Sequence, residues 1–221
     1  STFLVSKFDC INFRSSFSIS MKKLWKDQNV LIIGAARQGL ALARYLTGKS
    51  ANVTLNDNRS KAELINEFKI MEDYEIQWHI GNHSLQLLDG KDLISVSGGV
   101  PLDIPLIIEA QKRGIPLTND SQIFISEVPC PVIAITGSAG KTTVTALLGD
   151  IAKKAIHTPQ KVWVGGNIGN PLIEYLDQIQ ANDTVILELS SFQLELMEKS
   201  PHIAAITNIK PNHLDRHGTL E

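Results

Sequence analysis

A chain of 221 residues is long enough for one large or two modest domains with real cores. Its composition, 43% hydrophobic and 20% charged with a formal net charge of -2, is that of a soluble globular protein and gives no support to a nucleic-acid or membrane-surface partner. The two cysteines, Cys10 and Cys130, lie too far apart in sequence to suggest a disulfide framework or a metal site, and no apolar run approaches a membrane span. A reducing, cytoplasmic setting is expected.

Residues 1–20 are rich in Ser and Phe, contain Asp9 and lack an apolar signal core, so they do not read as a secretory signal. They are expected to be a poorly ordered extension without an assigned role, ahead of a natural start at Met21. Asn29–Ile33 is then an apolar run ending in Gly34, followed by Leu40, Leu42, Ala43 and Leu46 at helical spacing. A second strand is expected over 52–56, closed by Asp57, Asn58 and Arg59. Strand, Gly-rich turn, helix, strand and acidic residue is the layout of a dinucleotide-type βαβ unit. The loop Gly34-Ala35-Ala36-Arg37-Gln38-Gly39 carries Ala36 where that fingerprint has its middle glycine. A methyl group there holds a pyrophosphate further from the backbone, which disfavours NAD. Arg37 would put a cation beside a bound phosphate. The plainer alternative is a packing turn, with Asp57 a solvated strand-end residue.

The alternation continues with strands expected over 75–78, 92–97 and 115–118. Ser97-Gly98-Gly99-Val100-Pro101 is a turn-rich break, and a helix is expected over 102–113. Asn119 or Asp120 is a candidate cap for a further helix through Ile123, Phe124 and Ile125. Pro129-Cys130-Pro131 marks an expected boundary between a domain over 21–128 and another over 129–221. Alternating elements on both sides of it predict two parallel α/β sheets.

The run 133–136 breaks into Gly137-Ser138-Ala139-Gly140-Lys141-Thr142-Thr143, with a helix expected over 143–154. A buried strand feeding a loop at a helix N-terminus aims backbone N–H groups and a positive helix end at one spot. Gly140 lets a phosphate approach the backbone, Lys141 supplies a cation and Thr142 a hydroxyl suited to Mg2+. The form is a shortened GxxGKT, with Ile135 where the standard pattern has its first glycine. Strands expected over 161–164, 184–187 and 202–207 each run into polar residues: the loop 165–171 with Asn167, the run Glu188-Leu189-Ser190-Ser191-Phe192-Gln193, and the stretch from Asn208 through His213 to Asp215. Open α/β sheets place ligands at such carboxyl ends. Thr142, Glu188 and His213 are the candidates for metal-linked chemistry, the carboxylate and hydroxyl matching the oxygen preference of Mg2+.

In this order and spacing, the segments from about Lys23 to the last residue resemble the Mur ligases, and the run ELSSFQ favours their D-glutamate-adding branch. The resemblance implies a Rossmann-like N-terminal domain followed by a P-loop NTPase-like central domain, incomplete here. It implies an ATP-dependent ligase of peptidoglycan synthesis that joins D-glutamate to UDP-N-acetylmuramoyl-L-alanine through an acyl phosphate, acting as a monomer. Gly34, Ala36, Arg37, Gln38, Gly39, Asp57, Asn58 and Arg59 would then hold the uridine diphosphate part. Asn167, Ser190 and Gln193 would contact the muramoyl-alanine end. Residues Gly137, Ser138, Ala139, Gly140, Lys141, Thr142 and Thr143 would bind ATP, with Thr142 and Glu188 toward Mg2+ and His213 toward a second metal. Lys141, Glu188 and His213 would be the catalytic set. Ala139 departs from the family's usual Asn, Gly98 from a usual Pro and Gln122 from a common Glu. The family's downstream metal-linked lysine and third domain are missing, so an inactive fragment is expected; a non-catalytic UDP-sugar or ATP-binding module is the alternative.

Overall fold

Apolar runs without alternation become interior strands, because a parallel strand covered on both faces has no solvent side. β1 (Asn29–Ile33) is buried from Val30 onward and β2 (Asn52–Asp57) from Val53 onward. In the computed structural model, which describes residues 25–210, they join β3 (Ile76–Ile80), β4 (Leu93–Val96) and β5 (Leu117–Thr118). The five strands are parallel, in the order β3-β2-β1-β4-β5. Strand order reverses between β1 and β4, which opens a crevice at their carboxyl ends. A second parallel sheet, β7-β8-β6-β9, comprises β6 (Val132–Thr136), β7 (Val162–Gly166), β8 (Thr184–Glu188) and β9 (Ile203–Ile206). The fold is α/β with two parallel sheets, the segment 128–131 leading from one to the other. The extension 1–20 and His213 lie outside the described residues.

The helices are α1 (Arg37–Gly48), α2 (Ile65–Ile70), α3 (Pro105–Lys112), α4 (Asp120–Glu127), α5 (Lys141–Ala155) and α6 (Ser191–Leu194). α3 starts three residues later than its apolar spacing predicts. Pro105 takes the first helical position and holds Ile104 extended at ψ 146, so 102–104 cannot be helical. α5 starts two residues earlier than predicted, because Gly140 adopts the left-handed conformation and serves as N-cap. The short α2 and the 3-10 turns Leu85–Leu88 and Leu172–Gln178 had no predictive spacing.

The last of those turns decides how the halves meet. Leu172, Ile173 and Leu176 are buried in one apolar cluster with Leu42, Leu46 and Phe124, and that cluster runs on to Val132, Val185 and Leu187. One core therefore spans both sheets. At its margin, the Glu127 carboxylate accepts from Trp25 Nε1 at 2.7 Å and from Tyr45 Oη at 2.6 Å. Arg44 pairs with Glu174 and Lys49 with Asp177 across the same seam.

Candidate functional site

At the crevice of the first sheet, Gly34 leaves β1 at φ 100 and Gly39 packs α1 against the turn. Ser97, at the end of β4, donates from its hydroxyl to the Gly34 carbonyl at 3.0 Å. Asp57 is not a solvated strand-end residue. It is 8% exposed, and its carboxylate accepts four hydrogen bonds, from Ala35 N and from Arg59 N, Nε and Nη2. Arg59 also donates to the Ala35 carbonyl at 3.1 Å and to Glu67 at 3.0 Å. With its lone pairs occupied, Asp57 shapes the loop through Ala35 and holds Arg59; Asn58 is the exposed member of the trio. Burial pushes the Asp57 carboxyl up, but the hydrogen bonds and charge of Arg59, with the Ala35 amide, outweigh it and hold it at about 2 against an ordinary 3.8. A depressed folded-state value adds stability above the unfolded value, lost as pH falls through the folded one. Asp57→Asn is therefore expected to cost about 2 kcal/mol at pH 7 in urea melts, the difference shrinking between pH 4 and pH 2.

In the second sheet, the loop after β6 lies against the segment following β9. A Cβ on Gly137 would stand 2.2 Å from Thr207 Oγ1. Asn208 grips Ala139 twice: the Ala139 N–H donates to its Oδ1 at 3.0 Å, and its Nδ2 donates to the Ala139 carbonyl at 2.9 Å. Ser138 N donates to the Asn208 carbonyl at 3.0 Å, and Thr207 Oγ1 to Ala139 O at 2.6 Å. The Lys141 ammonium is held over the loop by the Gly137 carbonyl at 2.7 Å. No side chain caps α5, which leaves the N–H groups of its first turn, Lys141, Thr142 and Thr143, to an anion. Sequence reasoning assigned Asn208 no role; its place just after a strand pairing with β6 was the available signal.

Glu188 ends β8, in register with Ile135 of β6 and Gly166 of β7. It is 1% exposed; Oε1 accepts from Asn167 Nδ2 at 3.0 Å, and Oε2 is buried without a hydrogen-bond partner among the described residues. An orphaned buried carboxylate oxygen is costly, and a cation removes the cost. The residues fit Mg2+, with the exposed Thr142 hydroxyl as a second oxygen. Among the described residues no cluster of three or more His, Cys, Asp or Glu gathers.

One expected contact, Gln193, is built into the fold. Gln193 is 1% exposed: its Oε1 accepts from Ser190 N and Oγ, and its Nε2 donates to Ser121 Oγ at 2.6 Å. Ser190 Oγ in turn accepts from Gln193 N, completing a capping box at α6. The pair braces α6 against α4 and buries the Gln193 carboxamide. Gln122 likewise joins the halves, its Oε1 accepting from Glu198 N and Lys199 N at 2.9 and 3.1 Å.

Two family models match the chain: "Mur ligase MurD-like, N-terminal domain" over residues 28–119 and "Mur ligase middle domain" over residues 135–221. The chain belongs to the Mur ligase family. Among curated relatives, the UDP-N-acetylmuramoylalanine–D-glutamate ligase of Koribacter versatilis is 43% identical over 197 residues, covering 89% of this chain and 43% of that protein. Its namesake in Symbiobacterium thermophilum is 39% identical, covering 88% and 42%. This Mur ligase chain thus spans less than half the length of those relatives. Among solved structures, the UDP-N-acetylmuramate:L-alanyl-gamma-D-glutamyl-meso-diaminopimelate ligase of Neisseria meningitides superposes with a TM-score of 0.54 at 17% identity, over 88% of this chain and 64% of that one. The UDP-N-acetylmuramate-alanine ligase of Thermotoga maritima gives 0.53 at 22%, over 86% and 43%. At those identities the likeness speaks to the fold. Among the described residues, no helix is long and apolar enough to cross a membrane.

Proposed function

We propose that this chain carries the UDP-substrate and ATP sites of a cytoplasmic, monomeric ligase that adds D-glutamate to UDP-N-acetylmuramoyl-L-alanine. The observation that carries the reading is the orphaned Glu188 Oε2 at the end of β8, one strand away from an uncapped helix behind a GxxGKT loop. The names of the curated relatives supply the substrates. In the reaction, the alanyl carboxylate attacks the γ-phosphorus of ATP, ADP leaves, and the amine of D-glutamate then displaces phosphate from the acyl phosphate. Two anions must meet, so the requirement is cationic and hydrogen-bonding support for charge on the transferring phosphoryl group. Lys141 follows that charge, and the first-turn amides of α5 hold the phosphates. Glu188 and Thr142 would hold Mg2+, with His213 the candidate ligand of a second ion, and the metal would supply further charge neutralisation. The crevice loop 34–39 with Asn58 and Arg59 holds the uridine diphosphate, and Asn167 and Ser190 lie toward the muramoyl end.

Calorimetry tests this reading. UDP-N-acetylmuramoyl-L-alanine is expected to bind saturably and NADH not at all, while Lys141→Ala weakens AMP-PNP binding at least about tenfold. Absence of UDP-substrate binding, or AMP-PNP binding by Lys141→Ala equal to wild type, overturns it.

A further inference from the structure

Arg37 opens α1 on the first sheet, yet its guanidinium reaches the second. Its Nη2 donates to the Asn167 carbonyl at 2.8 Å. Asn167 is fastened to Glu188 twice, by its N–H to the Glu188 carbonyl at 2.9 Å and by Nδ2 to Oε1 at 3.0 Å. Oε2, the other oxygen of that carboxylate, is buried without a partner among the described residues. The turn has little freedom. Gly166 sits at φ 107, and a Cβ there would come within 2.4 Å of the Glu188 carbonyl oxygen. With the turn pressed onto the end of β8, the tilt of the Asn167 peptide decides where its carboxamide points. Arg37 holds the outer side of that residue and Glu188 the inner side. The buried carboxylate of Asp120, whose ionised form the Arg37 charge favours, adds an electrostatic reason for the guanidinium to stay there.

We propose that Arg37 is a positioning residue for the metal site: by holding the Asn167 carbonyl it locks the Asn167 carboxamide on Glu188 Oε1 and so aims Oε2 at the divalent cation. The inference rests on the reading of Glu188 as a metal ligand. It assigns Arg37 a task other than phosphate contact and joins the substrate loop of one sheet to the cation of the other by a short run of hydrogen bonds. Removing groups that orient a metal ligand costs about 10–100-fold in metal affinity, and Arg37 stands one bond further out than Asn167.

The full chain is titrated with Mn2+ in the presence of AMP-PNP and followed by EPR, with a separate AMP-PNP titration without metal. Asn167→Ala is expected to weaken Mn2+ binding about tenfold and Arg37→Met about fivefold, with metal-free AMP-PNP affinity unchanged. Arg37→Lys keeps a donor for the carbonyl and is expected to restore much of the loss. In 15N spectra the Asn167 side-chain amide signals are expected to shift in Arg37→Met and to return toward wild type in Arg37→Lys. A merely structural role would lower both affinities together and would not be rescued. Equal Mn2+ affinity in wild type and Arg37→Met, with Glu188→Gln impaired, overturns the inference alone. Undiminished Mn2+ binding in Glu188→Gln, or none in wild type, overturns the metal reading and the inference with it.

Discussion

Gly39→Ala is expected to abolish UDP-N-acetylmuramoyl-L-alanine binding and to cost about 3 kcal/mol of stability. A Cβ at that position would lie 1.9 Å from the Gly34 carbonyl oxygen and 3.0 Å from Ser97 Oγ. The nearest obstacle is backbone, so no side-chain rotation relieves it. The turn must open, taking with it the Ala35 amide that Asp57 holds at 2.8 Å. Gly48, at the other end of the same helix, has nothing within 4 Å of the point where an alanine methyl would stand. Gly48→Ala is therefore expected to leave binding intact and to raise stability by about 0.5 kcal/mol through helix propensity. Paired urea melts by circular dichroism and substrate titrations check both; a Gly39→Ala protein that melts and binds like wild type would show that the turn is not closed on Gly34.

Asp120→Asn is expected to remove a pH dependence of stability. Asp120 is 7% exposed at the first position of α4, and its Oδ1 has no hydrogen-bond partner among the described residues. Burial raises its carboxyl from 3.8 to about 6, against hydrogen bonds from the Ser121 and Asp120 amides and from Gln193 and against the charge of Arg37. Here the folded-state value lies above the unfolded one, so folding takes up a proton between them. The penalty for a buried charge is in full force above about pH 6, shrinks as pH falls, and is gone below about pH 4. Two units correspond to about 3 kcal/mol. Wild type should therefore lose up to that amount relative to Asp120→Asn between pH 4 and pH 7 in urea melts. A constant difference across the range would mean that Asp120 keeps one protonation state throughout.

What could be read from sequence was whatever a local run of residues decides. β1 and β8 were legible because Val30–Ile33 and Val185–Leu187 leave no polar side to a strand, and β2 because β-branched Val53 and Thr54 precede Leu55. The loop before α5 was legible as a strand-to-helix turn because a glycine immediately before Lys141-Thr142 can start a helix from a left-handed residue, although the helix begins at Lys141 itself. Partnerships across the fold were not legible. Asp57 looked available for a ligand, but Ala35 and Arg59 fill its carboxylate. Gln193 looked like a contact residue until the cap of α6 and the Ser121 hydroxyl occupied it. The turn over Leu172–Gln178 escaped notice because a 3-10 segment gives no period of 3.6, and its apolar residues answer to α1 and α4 rather than to their own neighbours.

That turn carries a mechanical consequence. Leu172, Ile173 and Leu176 fill the space between the sheets, and Arg44 and Lys49 clamp its outer edge through Glu174 and Asp177. A hinge between the halves would have to bare this apolar seam to water before it could swing, and large hydrophobic interfaces resist that motion. The two sheets therefore share one bed, which holds the loops 34–39 and 137–140 at a set separation. Any motion at the reactants that leaves this seam buried has to come from elements outside it, such as the loops at the strand ends.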